Sequence, residues 1–196
     1  MKALAAVALL AALTGCGSAT ATAPQPSPPA TVPATAPSTP ATEWKIDPSF
    51  NSLDLAWIEL MIPMDEQLLQ VLGMAEKQAA DPALRAFATA VAGGHRDEVE
   101  KLKLNRTRSG MPVRNPHVGH DMAGMMTEPE IVALGKTSGP AFDQLFAKNL
   151  KEHLDESIVL AKGIGTNGKD AAVKHLAAEI RTSRAAQLKQ LTALQT

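Results

Sequence analysis

The chain has 196 residues, a formal net charge of −1, one cysteine, no tyrosine, four phenylalanines and two tryptophans. A single cysteine excludes an intramolecular disulfide and any multi-thiolate zinc or redox site. Acids and bases are interspersed at near-neutral charge, which excludes the basic stripe that nucleic-acid binding requires. Val, Ile and Thr do not cluster in alternating runs, so strands are not expected.

Lys2 precedes an apolar run, ALAAVALLAALTG, that ends at Cys16. The run is too short to cross a bilayer comfortably and has the shape of a secretory h-region, so residues 1–15 read as a signal peptide. LTGC resembles the bacterial lipobox, in which the cysteine is lipidated and becomes the mature N-terminus. An ordinary signal peptide with an incidental cysteine is the alternative. A lone Cys placed directly after the apolar run and before Gly favours lipidation at Cys16. The expected setting is therefore outside the cytoplasm, lipid-anchored to the cell membrane.

Residues 17–42, GSATATAPQPSPPATVPATAPSTPAT, carry no charge and no aromatic. Such Pro/Ala/Thr/Ser composition cannot bury apolar surface and reads as a spacer leaning towards polyproline II. Extended at about 3.1 Å per residue, it would reach roughly 80 Å from the lipid. The expected organisation is a lipidated linker over 16–45 and a single domain over 46–196, long enough to bury about two-thirds of its surface.

Displaced by 89 positions, the domain aligns with itself without a gap. LDLAWIELMIPMDEQLLQVL (53–72) lies on FDQLFAKNLKEHLDESIVLA (142–161), and DPALRAFATAVAGGHRDEVEKL (81–102) on DAAVKHLAAEIRTSRAAQLKQL (170–191). Asp54 matches Asp143, Trp57 matches Phe146, and Asp81 matches Asp170. Each half carries apolar residues at alternating spacings of four and three, the seam of packed helices. The first helix runs Trp57, Met61, Met64, Leu68, Val71, Ala75, and the third runs Phe146, Leu150, His153, Ser157, Leu160, Ile164. Asp81 and Asp170 suit N-caps, and Pro82 suits the first helical position. Pro63 should kink the first helix or interrupt its hydrogen bonding. Two such hairpins predict an all-α four-helix bundle, with helices near 49–79, 81–107, 140–163 and 169–194.

The linker between hairpins, about 109–139, holds HVGHDMAGMM (117–126) and then TEPEIVAL, where Thr127 and Glu130 form a capping-box start for a short helix. His117, His120, Met122 and one of Met125 or Met126 would suit a cuprous ion, with Asp121 orienting an imidazole. Met125 and Met126 also suit the packing of an irregular gap.

The seams place a second polar group inside the bundle. His95 and Glu98 share one face of the second helix, and Arg184 and Gln187 occupy the matching positions of the fourth. Met64 and His153 fall at the same depth. Two imidazoles, a thioether and a carboxylate would suit copper, the thioether favouring Cu(I). The alternative is a satisfied polar layer, with Arg184 against Glu98 and the histidines hydrogen-bonded. A di-iron centre needs carboxylates from all four helices, which these seams lack. No nucleophile, base and orienting group converge, so no catalytic role is expected, and His175 reads as a helix-surface residue.

FDQLFAKNLKEHLDESIVLA and DMAGMMTEPEI resemble segments of the domain of unknown function 305 family, a ferritin-like group of exported bacterial proteins. The first is similar to that family's Phe-Asp, aromatic, Met-Ile-x-His-His helix, and the second to its Gly-Met-Met-Thr connection. The resemblance covers about 50–194 and implies the bundle fold. It also implies an association with copper, since some relatives bind or tolerate it in the periplasm. The departures fall on the ligand positions. Met64 and Asp65 stand where the family has His-His, and only His153, followed by Leu154, remains in the third helix. His95 with Glu98, and Arg184 with Gln187, stand where the family carries Gln-x-x-Glu. Two functions follow as expectations: a lipoprotein that binds or sequesters copper, or a metal-free envelope structural and interaction module.

Overall fold

The structure, a computed structural model, describes residues 44–195. The expected signal segment, Cys16 and nearly all of the Pro/Ala/Thr spacer lie outside the described residues. Five helices follow one another: α1 (Ser52–Gln78), α2 (Pro82–Ser109), α3 (Glu128–Gly135), α4 (Gly139–Asn167) and α5 (Ala171–Leu194). Among the described residues there is no strand.

Local chemistry sets the helix boundaries. Asn51 and Asp54 form a capping box at the start of α1, each side chain bonding the other's backbone N–H. Asp81 caps α2 through Ala83 N at 2.8 Å, with Pro82 following it, and Gly110 at φ 77° ends that helix. At α3 the Glu130 carboxylate reaches back to Thr127 N and Oγ1. Asp170 caps α5 through Val173 N at 3.0 Å. The expected end of α4 near 163 falls short, because the helix continues through Gly163 and Gly165 to Asn167. Asn51 Nδ2 donates to the Asn167 carbonyl at 2.9 Å and satisfies that late turn. Pro63 does not break α1; its buried ring removes only the N–H that the Glu59 carbonyl would have received.

The helices form a square in which α1 packs on α2 and α4, and α5 packs on the same two. Both Asp54 and Asp143 link the start of one hairpin to the turn of the other. Asp54 accepts from Lys169 N and Asp170 N at the α4–α5 turn. Its repeat partner Asp143 accepts from Ala80 N and Asp81 N at the α1–α2 turn. The duplication thus closes on itself through two reciprocal caps, which also make α1 and α4 antiparallel.

Since α2 and α4 then point the same way, the connection between them must travel back along the bundle. It does so beside α1, touching Glu59 through Arg114, Gln67 through Met126 and Gln78 through Gly135. This cover explains why Met61, Ile62, Pro63, Met64 and Asp65 are all buried in succession. An uncovered bundle helix would bury only one stripe.

The interior is two apolar clusters rather than one. The first gathers Leu68, Leu72, Phe87, Phe142, Phe146 and Leu150, with the two phenylalanine rings stacked 5.7 Å apart. The second gathers Trp57, Ile58, Met61, Leu102, Ile164 and Ile180. Asp65, His95, Glu98, His153 and Arg184 fall between them, with at least one from each of the four long helices.

Candidate metal centre

Each of the four long helices sends a polar side chain into the layer between the apolar halves. Asp65 comes from α1, His95 and Glu98 from α2, His153 from α4 and Arg184 from α5. Asp65, His95 and Arg184 are wholly buried, and His153 is 3% exposed.

Arg184 is the electrostatic centre of one side. Its Nη1 donates to Glu98 Oε1 at 3.1 Å and its Nη2 to Glu98 Oε2, a two-pronged pair. Nη2 also reaches Asp65 Oδ1 at 3.2 Å. His95 and Arg184 are themselves repeat partners, 89 positions apart, and meet at 3.1 Å across the centre.

The histidines form the other side. His95 Nδ1 lies 3.1 Å from Asp65 Oδ1, and His153 Nδ1 lies 3.2 Å from the Gly124 carbonyl. The Gly124 carbonyl can only accept, so His153 Nδ1 carries the proton and donates it; His95 Nδ1 lies equally near Asp65 Oδ1, an acceptor, and Arg184 Nη2, a donor, and with its proton on Nδ1 it donates to Asp65. In the neutral imidazole this leaves each Nε2 as a bare lone pair. Neither Nε2 finds a hydrogen-bond donor among the described residues, and Asp65 Oδ2 is likewise without one. The two rings stand 5.5 Å apart, tilted by 56°. His153 Nε2 is 3.4 Å from Asp65 Oδ1, out of line for a hydrogen bond. One ligating atom from each of Asp65, His95 and His153 falls within 4.8 Å of the others.

Burial and charge set the protonation of the layer. Burial alone would raise the Asp65 carboxyl, but the adjacent His153 and His95 rings and the Arg184 charge outweigh it and hold Asp65 well below the usual carboxylate range. Burial, reinforced by Arg184, pushes His95 down to about 4 despite the Asp65 carboxylate. Burial raises Glu98, against the pull of Arg184. The formal charges of Asp65, Glu98 and Arg184 sum to −1 before the imidazoles are counted.

These features fit a small soft cation. Histidines that bind metals hand their second N–H to a carboxylate or a backbone carbonyl, as His95 and His153 do here. Nitrogen and oxygen donors sit at about 2.0–2.2 Å from such an ion, so a 3.4 Å gap between two of them is short enough to share one. A crevice of about 10 Å³, roughly one water in size, reaches His153 between Gln67, Gly124 and Asn149.

The linker between the hairpins closes this layer. Gly124 has φ 75°, and a Cβ there would stand 2.7 Å from Glu156 Cβ and 3.2 Å from Met64 Cε. Only glycine fits, and its carbonyl fixes the His153 tautomer. Gln67 grips Met126 by both backbone groups, at 2.7 and 2.8 Å. Met125 packs on one apolar half and Met126 on the other. Met125 and Met126 thus act as anchors of the loop. Met64 is buried beneath Gly124 in the apolar cluster, while its neighbour Asp65 turns to the histidines. His117 is half-buried and His120 exposed, with ring centres 6.5 Å apart, and neither joins the buried layer. Met122 is half-buried in the same loop. Glu98 is engaged by Arg184, and Gln187 donates only to Ser183. His175 is on the surface, as expected, beside Glu179.

Asp65 is the functional residue that the seam pattern missed. It sits one position beyond Met64, and the buried stripe of α1 is wide enough to take both. A signal was present: an acid inside the apolar stretch IELMIPMDEQLL, on the face of Ile58, Met61 and Leu68.

Duplicated hairpins, a long crossover and a polar belt define an all-helical two-hairpin bundle. The chain belongs to the domain of unknown function 305 family, whose model matches residues 54–195. A putative secreted protein of that family from Streptomyces coelicolor is 19% identical with TM-score 0.66, over 73% of this chain and 91% of its own. A fragment of the family from Deinococcus radiodurans is 15% identical with TM-score 0.68, over 74% and 96%. CopM in its Cu(II)-bound form is 23% identical with TM-score 0.61, over 72% and 94%. All three share the fold. Among curated proteins no sequence match was found. No helix among the described residues is long and apolar enough to cross a membrane.

Proposed function

We propose that this chain is an exported, lipid-tethered copper-binding bundle that holds one Cu(I) between His95, His153 and Asp65. The observation that carries the reading is the buried group of His95, His153 and Asp65, which bring one ligating atom each within 4.8 Å of the others while both Nε2 atoms lack a hydrogen-bond partner among the described residues. With the formal charges of Asp65, Glu98 and Arg184 summing to −1, a monovalent ion is held there at less cost than a divalent one, because a buried uncompensated charge is expensive. CopM, which shares the fold, has been solved with Cu(I), Cu(II) and silver, and this supports a soft cation. Sequestration or delivery suits such a site better than catalysis, since the ion would be enclosed beneath the crossover. Export and lipidation at Cys16 rest on the apolar leader and the LTGC motif.

A second reading has its own observation. The Arg184–Glu98 pair is what a purely structural polar layer would contain, and a guanidinium is a poor neighbour for a cation. The two readings part in one titration. Under anaerobic conditions the full-length chain should take one equivalent of Cu(I) from a chromophoric competitor, and Asp65→Asn, His95→Gln and His153→Gln should each lose it. Unchanged Cu(I) uptake in His95→Gln and His153→Gln would exclude the buried site. No uptake by the wild type would favour the structural module. Radiolabelled lipid incorporation abolished by Cys16→Ser tests the anchor.

A further inference from the structure

The crossover has a second pair of imidazoles that the buried layer does not use. Asn115 Oδ1 accepts from His117 N at 3.0 Å, and His120 N returns to the His117 carbonyl at 3.1 Å. With Gly119 at φ 77°, this closes a tight turn that brings the two side chains to one side. The rings meet edge to face, 6.5 Å between centres, and no described residue hydrogen-bonds either ring. Two imidazoles sharing one tetrahedral ion at about 2.0–2.1 Å per nitrogen have ring centres roughly 5 Å apart, so side-chain rotation that closes about an ångström brings this pair to that spacing.

The turn is held in place at both ends. Arg114 donates to Glu59 at 2.6 Å and stacks its guanidinium 4.8 Å over the Trp44 ring. Gln67 grips Met126 on the far side. Both histidines line a cleft of about 480 Å³ between the loop and α1, with Met125 and Glu128 on its wall. Glu66, also on that wall, is engaged by Lys103 at 3.0 Å. The cleft is open to water, so no buried-charge balance limits the valence of an ion there.

We propose that His117 and His120 form an outward-facing site for a divalent borderline cation of the zinc, nickel or cupric class, with water or Glu128 completing the coordination. Imidazole with oxygen donors suits those ions, and solvent supplies the remaining ligands. The site is separate in place and in preferred charge from the buried layer, and it does not depend on that layer binding anything. Residues 117 and 120 lie on a surface turn, so their replacement leaves the core untouched.

Zn(II) alone, added to the full-length chain, is the probe. Calorimetric titration should show one saturable equivalent, and His117→Ala or His120→Ala should each weaken it about tenfold or more. His95→Gln with His153→Gln should leave it unchanged; should that pair fail to fold, Asp65→Asn serves the same purpose. In NMR spectra the ring resonances of His117 and His120, and not those of His95 and His153, should move first. A chain that takes no Zn(II), or whose Zn(II) survives His117→Ala/His120→Ala, overturns the proposal. Failure of the buried copper site would show only in the Cu(I) titration.

Discussion

Removing Arg184 is the severest single perturbation of the buried layer. The guanidinium is wholly buried, holds both Glu98 oxygens and reaches Asp65. Arg184→Met fills similar space but leaves two carboxylates in the interior without their shared cation. Breaking a buried pair on one side destabilises by about 3–5 kcal/mol. For a domain of this size that corresponds to a fall in Tm of roughly 6–20 °C. Glu98→Gln together with Arg184→Met removes one of the stranded charges, so the double variant should recover about 2 kcal/mol relative to Arg184→Met with additive loss. Urea unfolding of the metal-free protein at neutral pH, run as a complete cycle of the four chains, reads both numbers. A loss below about 1 kcal/mol in Arg184→Met, or strict additivity in the cycle, would refute the charge assignment of the layer.

Two further outcomes follow from the same geometry. His95 is held neutral, with its pKa pushed from 6.5 to about 4, so the unfolded chain takes up a proton between those values that the fold refuses. Stability of the metal-free protein should therefore fall on acidification from about pH 6.5 towards 4, by roughly 3 kcal/mol at 1.36 kcal/mol per pKa unit; His95→Gln should flatten that slope, and an unchanged slope would discount His95. Gly124→Ala forces a side chain into a left-handed conformation against Glu156 and should destabilise by about 2–4 kcal/mol. Faster amide exchange across residues 117–126 should accompany it, and a loop that stays protected would mean Gly124 is not its anchor.

The bundle was legible because its determinants are local or periodic. The Asp81 and Asp170 caps and the Thr127–Glu130 box lie within a few positions of what they control, and the 89-residue repeat is periodic along the chain. His95, Glu98, His153 and Arg184 were placed at one depth by the seam alone, and the pairing of Arg184 with Glu98 followed from charge. Asp65 was not, because a strict four-and-three seam picks Met64 and passes over its neighbour. The burial of Asp65 also depends on the crossover lying against α1, an arrangement made by contacts far apart in sequence. For the same reason the loop read as a single Met/His cluster. Docking divides it: Met125 and Met126 turn to the core, Gly124 meets His153, and His117 and His120 stay outside. The reciprocal capping by Asp54 and Asp143 was visible as an aligned pair, yet its role required knowing which turn each carboxylate reaches.

Sidechain replacement bears on why the polar layer exists. A packed apolar layer of similar volume would serve stability equally well or better. The proposed copper site would give the two histidines beside a buried carboxylate a role that packing alone does not.

X-ray absorption at the copper edge, on full-length protein loaded with one equivalent of Cu(I), addresses that directly. The expected signal is scattering from two imidazoles, unaltered in His117→Ala/His120→Ala and absent in His95→Gln/His153→Gln. A shell dominated by sulfur, or one that persists after both buried histidines are replaced, would contradict it.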